Sequence, residues 1–461
     1  MSDTSGSKRA VVVGGSMAGL LAARVLSSHF GEVVILERDQ FPSDVEPRAA
    51  APQGRHAHAL HERGRQVLEG LLPGLQAEML AAGARHYDAA RDISWLSWFG
   101  ECVRYDWGLP LIACSRPFLE HHVRRRVVAL PNVRTRTGAM VARLEGTADR
   151  VTGVHLQDGE VIAADLVVDA GGRDAATPRW LEALGVEPPT DSLVKPFLGY
   201  ASRSFDAPAQ RVWDRDAVVI TSRPPRFTRT LFLFPVEHRR YVITLAGMNG
   251  DYPPTNEAEF VEWVRSLEEP AVLDWLSAAR PTGPIYGFRF EQNRLRHFER
   301  CPLPRRLIAV GDAVASFNPI YAQGETVAAL GAELLDRVLT ETRGDDIGRV
   351  YHRRLAKLLQ PAWVQTTTED LRFPGTQGKR TFAQPIVRAY IDRLFFLTAT
   401  RPDVRTALFE VLGMTRPATH LFKPWLFLRA MLARIPKSKL RAHQALRPAA
   451  SAQSRGSLPA P

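Results

Sequence analysis

The N-terminal part of the chain alternates apolar runs with a turn of small residues. Arg9–Val13 is a short β-branched run, which is typical of a buried strand. The turn GGSMAG at 14–19 follows, and after it comes the apolar helical pattern LLAARVLSS. A second β-branched run, Glu32–Leu36, ends on Glu37. A strand, a glycine-rich turn, a helix, a strand and an acid, in that order, predict a dinucleotide-binding βαβ unit.

The glycine-rich turn predicts the contact with the pyrophosphate of a dinucleotide. Gly14 permits the tight turn, and Gly19 lets the helix lie close to the sheet. The free amides at the helix N-terminus favour an anion. Glu37 can accept hydrogen bonds from an unphosphorylated ribose, which favours FAD or NAD over NADP. Ser16 replaces the middle glycine of the fingerprint, so the pyrophosphate must approach past a small side chain.

Two central segments add candidate contacts to the same dinucleotide. The segment SRPFLEHHVRRRV predicts a helix that presents Arg116 at its start, where a guanidinium can bind a phosphate or a flavin-side oxygen. The segment ADLVVDAGGR at 164–173 predicts a strand that leads to a pair of glycines.

The segment 305–339 predicts another part of the site. A strand at Leu307–Val310 leads to a turn at Gly311 and Asp312, and a long helix begins at Gly324. Asp312 is placed to bind ribityl or pyrophosphate-side hydroxyls, and the helix N-terminus can stabilise negative charge on a reduced flavin. An apolar stripe predicts the core-facing side of this helix: Val327, Leu330, Leu334, Leu335 and Val338.

These segments occur in the order seen in a known family. The chain resembles the FAD-dependent monooxygenases related to para-hydroxybenzoate hydroxylase. PQGRHAHAL at 52–60 and NPIY at 318–321 most resemble the branch that contains polyether-antibiotic epoxidases and, more distantly, squalene epoxidase. The resemblance implies FAD-binding residues at Gly14, Ser16, Met17, Ala18, Gly19, Glu37, Arg38, Gln53, Gly54, Arg55, Arg116, Asp169, Gly311, Asp312, Pro319, Gln323 and Gly324.

The expected fold class is α/β (α+β). It has a Rossmann-like FAD-binding domain of the GR2 type, an antiparallel substrate-binding sheet and a helical C-terminal region. Strand-like runs predict the sheet at 197–205, 211–220, 229–235 and 241–248. The expected divisions are an FAD-binding domain at 1–85, 105–185 and 286–345, a substrate-binding domain at 86–104 and 186–285, a helical region at 346–447, and a disordered tail at 448–461.

The resemblance implies an FAD-dependent monooxygenase that inserts one oxygen atom from O2 into its substrate through a flavin C4a-hydroperoxide. Such chemistry needs a mostly apolar pocket that excludes water. We expect an apolar specialised metabolite of antibiotic-biosynthesis type, a polyene, terpenoid or polyketide, that is epoxidised or hydroxylated. No second GxGxxG follows a strand, so NAD(P)H is expected to donate electrons either directly or through a flavin reductase.

Candidate pocket residues follow from the same resemblance. His58 lies in the segment expected beside the flavin, and Tyr321 and Glu325 lie in the turn and helix start after 318. Glu325 departs from the family pattern, which has an apolar residue there, often Met, so a carboxylate would alter the electrostatics of the flavin. Aromatic residues of the sheet region are candidate substrate walls: Trp213, Phe232, Phe234, Tyr286 and Phe288.

Other activities stay open at this point. One is hydroxylation of a phenol or indole ring, for which Tyr321, His58 or Glu325 could assist phenolate formation. Another is the reduction of isoprenoid double bonds, and a third is a non-catalytic flavin-binding or nucleic-acid-associated protein. Halogenation is not expected, because no lysine lies between Lys8 and Lys195 and the WxWxIP pattern is missing.

Composition argues for a globular, cytoplasmic protein. The 461 residues are 45% hydrophobic and 24% charged, enough to bury a large core. The net charge of +11 comes from arginines spread along the chain, so nucleic acid is not an expected partner. The spacing of His56, His58 and His61 does not suit a metal on one helix, and no metal site is expected. The N-terminus lacks the apolar stretch typical of a signal peptide, and no apolar run is long enough to span a membrane, so neither a leader nor a spanning helix is expected.

The end of the chain predicts helices interrupted by prolines, the first of them Pro361. An apolar stripe with i, i+4, i+7 spacing comprises Leu421, Trp425, Leu428, Leu432 and Ile435, with basic residues nearby, among them Lys437 and Lys439. We expect this helix to pack on the FAD-binding domain with its basic side outward. Peripheral contact with an anionic membrane is the alternative.

Overall fold

The computed structural model describes residues 8–48, 51–210, 212–382 and 384–436. The predicted tail at 448–461 and the end of the predicted helical region lie outside these residues. The helices are α1 Met17–Leu26, α2 Glu62–Leu71, α3 Leu75–Ala81, α4 Arg116–Val128, α5 Thr177–Ala183, α6 Glu257–Arg265, α7 Pro270–Ala278, α8 Gly324–Glu341, α9 Ile347–Asp370, α10 Gln384–Thr398, α11 Pro402–Leu412 and α12 Pro424–Leu432.

The strands follow the chain in this order: β1 Arg9–Val13, β2 Glu32–Glu37, β3 Arg85–Asp88, β4 Ile93–Ser97, β5 Gly100–Glu101, β6 Pro110–Ala113, β7 Val133–Thr137, β8 Val141–Gly146, β9 Val151–Leu156, β10 Val161–Ala163, β11 Leu166–Asp169, β12 Asp191–Val194, β13 Leu198–Asp206, β14 Ala217–Ile220, β15 Arg229–Pro235, β16 Arg240–Gly247, β17 Arg280–Pro281, β18 Tyr286–Phe290, β19 Asn293–Arg296, β20 Leu307–Ala309 and β21 Ala315–Ser316.

A parallel sheet carries the predicted βαβ unit. Its strands are ordered β20-β11-β1-β2-β7, and each runs parallel to its neighbour. The central strands are buried along almost their whole length, as expected of a parallel sheet covered on both faces. Helices α1, α4 and α8 pack together beside this sheet, and their apolar sides share its core. The predicted α/β fold class is confirmed.

The second large sheet of the structure is mostly antiparallel. Its order is β17-β13-β16-β15-β14-β4-β5, with β18 also paired to β13. Side chains alternate between its faces. Leu231 and Leu233 face a core with α6 and α7, whereas Phe232 and Phe234 face the opposite side, where β3 and β6 pack. Of the predicted run 211–220, only β14 forms a strand.

The structure corrects two expected boundaries. Residues 286–290 were assigned to the FAD-binding domain, but β18 pairs with β13 and so belongs to the large sheet. Helix α9 was assigned to a separate C-terminal region, but its Tyr351 and Leu355 are buried in the core of the parallel sheet. Pro361 lies inside α9 instead of ending a helix.

Helices α10, α11 and α12 form a core of their own. Tyr390, Leu394, Leu408 and Leu426 are buried in it. The expectation that the last helix packs on the FAD-binding domain is wrong, because α12 packs on α10 and on the turn at Ala418–Phe422. No helix among the described residues is both long and apolar enough to cross a membrane.

The close approach of α1 to the turn before it depends on Gly19. A Cβ at Gly19 would lie 1.9 Å from the carbonyl oxygen of Gly14. We expect Gly19→Ala to lower the free energy of unfolding by more than about 2 kcal/mol in urea titrations, because backbone must move. The control is Gly70→Ala near the end of α2, where a Cβ meets nothing within 4 Å. Equal stability of the two variants would contradict the close packing.

Candidate cofactor and active site

Contacts between distant segments bring the predicted cofactor residues together around the N-termini of α1 and α8. Gly311 has a φ of +60°, and a Cβ there would lie 2.5 Å from the Cβ of Ala18, so only glycine fits beside α1. A hydrogen bond joins Ser16 with Arg116, and an ion pair joins Arg116 with Glu325. Gly54 packs near Pro117, which lies 3.6 Å from where a Cβ at Gly54 would be.

Glu37 closes the glycine-rich turn from the end of β2. Its Oε2 accepts a hydrogen bond of 2.8 Å from the Gly15 amide, and its Oε1 accepts one of 3.0 Å from the Asp39 amide. The guanidinium of Arg48 forms an ion pair with the same carboxylate at 3.1 Å. The acid that the sequence assigns to the ribose therefore also orders the turn that would contact the pyrophosphate. Arg38, the next residue, is exposed.

Ser16, the departure from the glycine fingerprint, is bound on two sides. Its hydroxyl donates to Glu120 Oε2 at 2.8 Å and accepts from Arg116 at 3.0 Å. Glu120 also pairs with Arg48 at 2.8 Å, and all three charged side chains are buried. These bonds direct the hydroxyl toward α4, which explains how the turn accommodates a side chain at this position.

Glu325 lies between two basic side chains. Its Oε1 is 2.8 Å from Arg116 Nε, and its Oε2 is in ion contact with His58 Nε2. The carboxylate is only 6% exposed. Burial raises the pKa of Glu325, but the charges of His58 and Arg116 outweigh it, so the net shift of this pKa is downward. Two of the predicted pocket residues are thus in direct contact.

Asp312, in the turn after β20, lies within electrostatic range of Arg173. Burial raises the pKa of Asp312, and the positive charges of Arg173 and Arg116 oppose that rise. The Nε of Arg173 and the Nε2 of Gln323 are buried and have no hydrogen-bond partner among the described residues. Two orphaned donors, one of them at the N-terminus of α8, fit a ligand rich in phosphate and carbonyl oxygens, as FAD is.

Segment 52–58 lies against the face of the large sheet that carries Phe232 and Phe234, which we call the inner face. His56 Nδ1 is 2.7 Å from Ser202 Oγ, which is 2.6 Å from Thr244 Oγ1. The Ala57 amide donates to that same Thr244 oxygen at 2.8 Å. Burial, and then the charge of Arg55, lower the pKa of His56 to about 4, so its ring is neutral near pH 7.

The aromatic residues predicted as substrate walls divide between the two faces of the sheet. Phe232 and Phe234 are half-buried on the inner face. Phe288 packs against His56 with ring centroids 5.5 Å apart, and the Arg55 guanidinium lies 4.4 Å from the Tyr286 ring centroid. Trp213 instead stacks on Trp275 at 6.2 Å, in the core on the outer face. The structure therefore separates Trp213 from the other four.

Tyr321 belongs to a buried cluster around Asp370. The Tyr321 hydroxyl donates to Asp370 Oδ1 at 2.9 Å, and Asn318 Nδ2 donates to the same oxygen at 2.8 Å. Asn293 Nδ2 donates to Oδ2 at 2.6 Å. The end of α9 is thereby joined to β19 and to the loop before α8. Tyr321, predicted as a pocket residue, has its hydroxyl committed to positioning this loop.

Asp169, predicted as a cofactor-binding residue, forms hydrogen bonds with the residues that follow β11. It is fully buried, and its carboxylate accepts hydrogen bonds from the Gly171 amide at 2.8 Å and from the Thr177 hydroxyl. Because these bonds tie the carboxylate to residues that follow β11, they order the loop there.

Sequence reasoning missed Arg48, Glu120 and Asp370. Glu120 follows Arg116 by four residues on a predicted helix, a spacing that predicts an ion pair and could have identified it. Arg48 lies 72 residues from Glu120, and Asp370 lies 77 residues from Asn293, in segments without a recognisable motif.

The ionisation of Asp370 predicts a pH dependence of stability. Burial raises the pKa of Asp370 to about 7, against three donors that lower it, from an ordinary value of 3.8. Between these values the folded protein keeps a proton that the unfolded chain releases. Relative to Asp370→Asn, the wild type should therefore lose about 1.4 kcal/mol of unfolding free energy per unit rise in pH across this window.

Urea unfolding at pH steps between 4.5 and 8.5 measures this difference, which should level off above about pH 7, the pKa of Asp370 in the folded protein. Asp346→Asn, which removes an exposed carboxylate before α9, is the matched control. Parallel stability curves for wild type and Asp370→Asn would contradict the assignment.

Asp312 should matter for FAD retention. We expect Asp312→Ala to weaken FAD binding at least about tenfold, because a buried charged acceptor contributes roughly 1.5–3 kcal/mol through its hydrogen bonds. Flavin absorbance after gel filtration and a titration with FAD measure this, while circular dichroism should stay unchanged. Asp274→Ala, at an exposed position of α7, is the control. Full flavin occupancy in Asp312→Ala would remove Asp312 from the cofactor site.

Comparison with known proteins agrees with the geometry. The family model described as "FAD binding domain" matches residues 8–357. Protein Rv3254 of Mycobacterium tuberculosis (strain ATCC 25618 / H37Rv) is 34% identical over 382 residues, which are 79% of this chain and 80% of that protein. Kynurenine 3-monooxygenase of Salinispora arenicola (strain CNS-205) is 26% identical over 361 residues, 72% of each protein.

The structure of the flavin-dependent brominase Bmp2 matches with a TM-score of 0.65 at 15% identity and covers 94% of this chain and 99% of that chain, a likeness of fold. The expectations of FAD as cofactor and of an oxidoreductase are confirmed, and NAD(P)H is the usual electron donor in this family. The chain belongs to the FAD-binding-domain family of flavin-dependent monooxygenases related to para-hydroxybenzoate hydroxylase.

Proposed function

We propose that this monooxygenase inserts one oxygen atom from O2 into an apolar specialised metabolite, by epoxidation or hydroxylation of a polyene, terpenoid or polyketide. Segments 52–60 and 318–321 resemble the polyether-epoxidase and squalene-epoxidase branch. The protein would then act as the enzymes of that branch do. The observation that carries the proposal is the apolar wall beside segment 52–58.

The wall is formed by half-buried aromatic rings of β15. Phe232 lies directly opposite Thr244 in the sheet, and Thr244 binds the Ala57 amide. Phe232 therefore lies next to the chain that carries His58, and Phe234 follows two residues further on the same face. Val219 and Trp95 extend the same apolar cluster. Such a surface favours an apolar substrate, because polar groups would lose their hydration there.

Bound FAD would accept a hydride from NAD(P)H and activate O2, and the chain's own residues would prepare the site around it. The aromatic wall excludes water from the reacting region. Glu325 is in ion contact with both Arg116 and His58, so each of these basic side chains has a carboxylate beside it where an apolar substrate would bind. The His58–Glu325 contact can also hold one proton at the edge of the wall.

Hydroxylation of an aromatic ring is a second candidate function. It is favoured by the similarity to kynurenine 3-monooxygenase and by the His58–Glu325 pair, which could form hydrogen bonds with the hydroxyl or amino group of an aromatic substrate. Tyr321 is a weaker candidate for this role because its hydroxyl already donates to Asp370.

Oxygen incorporation distinguishes these functions. The FAD-loaded protein is supplied with NADH or NADPH, with and without a flavin reductase, under ¹⁸O2, and offered farnesol, squalene and kynurenine in separate reactions. One ¹⁸O atom in farnesol or squalene supports the proposal. One ¹⁸O atom in kynurenine alone supports ring hydroxylation. A saturated terpenoid without ¹⁸O would assign the chain to double-bond reduction and would contradict both.

The aromatic wall should set the specificity for the substrate that is turned over. We expect Phe234→Ala to lower kcat/KM about tenfold or more, because burying a phenyl ring is worth roughly 1.5–3 kcal/mol. FAD affinity should not change. Trp213→Phe, an aromatic change on the outer face, is the control and should leave kcat/KM as it is. Equal kcat/KM for wild type and Phe234→Ala would separate this wall from the substrate.

A further inference from the structure

Helix α12 turns an uninterrupted apolar face to the surface. Its inner side is covered, since Leu426 and Ala430 are fully buried. At about 100° per residue its other apolar side chains span roughly 160° of the helix, and no charged residue lies among them. Their exposed fractions are 39% for Trp425, 47% for Phe427, 59% for Leu428, 44% for Met431 and 71% for Leu432.

The apolar surface continues from α12 onto α10. The Tyr390 ring stacks on Phe422 at 5.2 Å and on Phe427 at 5.8 Å. Ile386 lies one turn before Tyr390 on the same side of α10 and is 69% exposed. The resulting docking face comprises Ile386, Phe422, Trp425, Phe427, Leu428, Met431 and Leu432. Contiguous exposed apolar surface of this kind marks a site of interaction with a membrane or another molecule.

Charge around the docking face is strongly positive. Residues 376–436 contain ten lysines and arginines and three acids. Each acid is already paired: Asp392 with Arg372 at 2.6 Å, Asp403 with Arg429, and Glu410 with Arg416 at 3.9 Å. Exposed Lys423 and Arg434 flank α12 at its two ends.

We propose that the docking face binds the surface of a bilayer that contains anionic lipids. Helix α12 then lies in the plane of the interface, with Leu428 and Leu432 among the acyl chains and Trp425 at the level of the headgroups. Lys423 and Arg434 contact anionic headgroups, and each basic residue near such a surface adds electrostatic attraction.

Two other occupants of the docking face are less well matched. A second copy of the chain would bring the same basic rim against itself, and like charges oppose association. The segment after residue 436 contains three leucines, no aromatic residue and further basic residues such as Lys437, Lys439 and Arg441. That composition offers little apolar area to cover seven large side chains. An anionic bilayer complements both the apolar face and its charge.

Sedimentation with lipid vesicles tests the proposal on the full-length, FAD-loaded protein. We expect binding to vesicles of phosphatidylcholine with phosphatidylglycerol, weaker binding to phosphatidylcholine alone, and release at high salt. The variant Leu428→Glu/Leu432→Glu should bind at least about tenfold more weakly. The matched control is Met140→Glu/Val161→Glu, which alters exposed apolar residues far from α12 in sequence, 43% and 51% exposed. It should bind like the wild type.

Three results would overturn the proposal. The wild type could fail to bind anionic vesicles, or Leu428→Glu/Leu432→Glu could bind as well as the control. A wild-type dimer in gel filtration that this variant converts to a monomer would assign the face to a second copy. Both leucines are exposed, so thermal unfolding of the variant should match that of the control. Lys423→Gln/Arg434→Gln tests the charges separately and should reduce the preference for phosphatidylglycerol.

Discussion

The balance of buried charge around Arg116 is the constraint on which the site depends. Six ionisable side chains alternate in sign along one path of contacts: Glu37, Arg48, Glu120, Arg116, Glu325 and His58. Removing a charge from water costs several kcal/mol, so each member needs its neighbours. The path joins β2, Arg48 in the segment after β2, helices α4 and α8, and segment 52–58. An anionic dinucleotide held by the predicted cofactor residues would meet positive groups that carboxylates already position.

This path also explains the two departures from the family pattern. Ser16 in place of glycine gains a hydroxyl that both Glu120 and Arg116 bind. Glu325 in place of an apolar residue supplies the negative charge that His58 and Arg116 require. A neutral side chain at 325 would remove the 2.8 Å ion pair of Arg116 and leave the longer one to Glu120, at 3.4 Å. The two substitutions are therefore parts of one electrostatic arrangement.

Local geometry could be predicted from the sequence, whereas partners and faces required the structure. The strands β1 and β2, the starts of α4 and α8 and the turn at Gly311 follow from short motifs in which backbone sterics decide the conformation. The pairing of Asp370 with Asn318 could not be predicted, because 52 residues separate them and no periodicity relates them. Trp213 precedes β14 in a segment without strand geometry, so alternation could not assign its face.

Periodicity misled the interpretation of α12 for a physical reason. Trp425, Leu428 and Leu432 form a regular stripe, but Leu426 and Ala430 form another, and the chain buries the second. Apart from Arg429, every side chain of α12 is apolar, so the sequence gives little signal for which side is covered.

The buried guanidinium of Arg405 binds the carbonyls of Ala89, Ala90 and Val103 and so fastens α11 to the segment around β4. The docking face therefore belongs to helices anchored to the large sheet, the sheet whose inner face carries the aromatic wall. An apolar substrate partitions into a bilayer. An enzyme bound to the bilayer by the docking face would therefore take up this substrate from the membrane, where its concentration is high, and not from water.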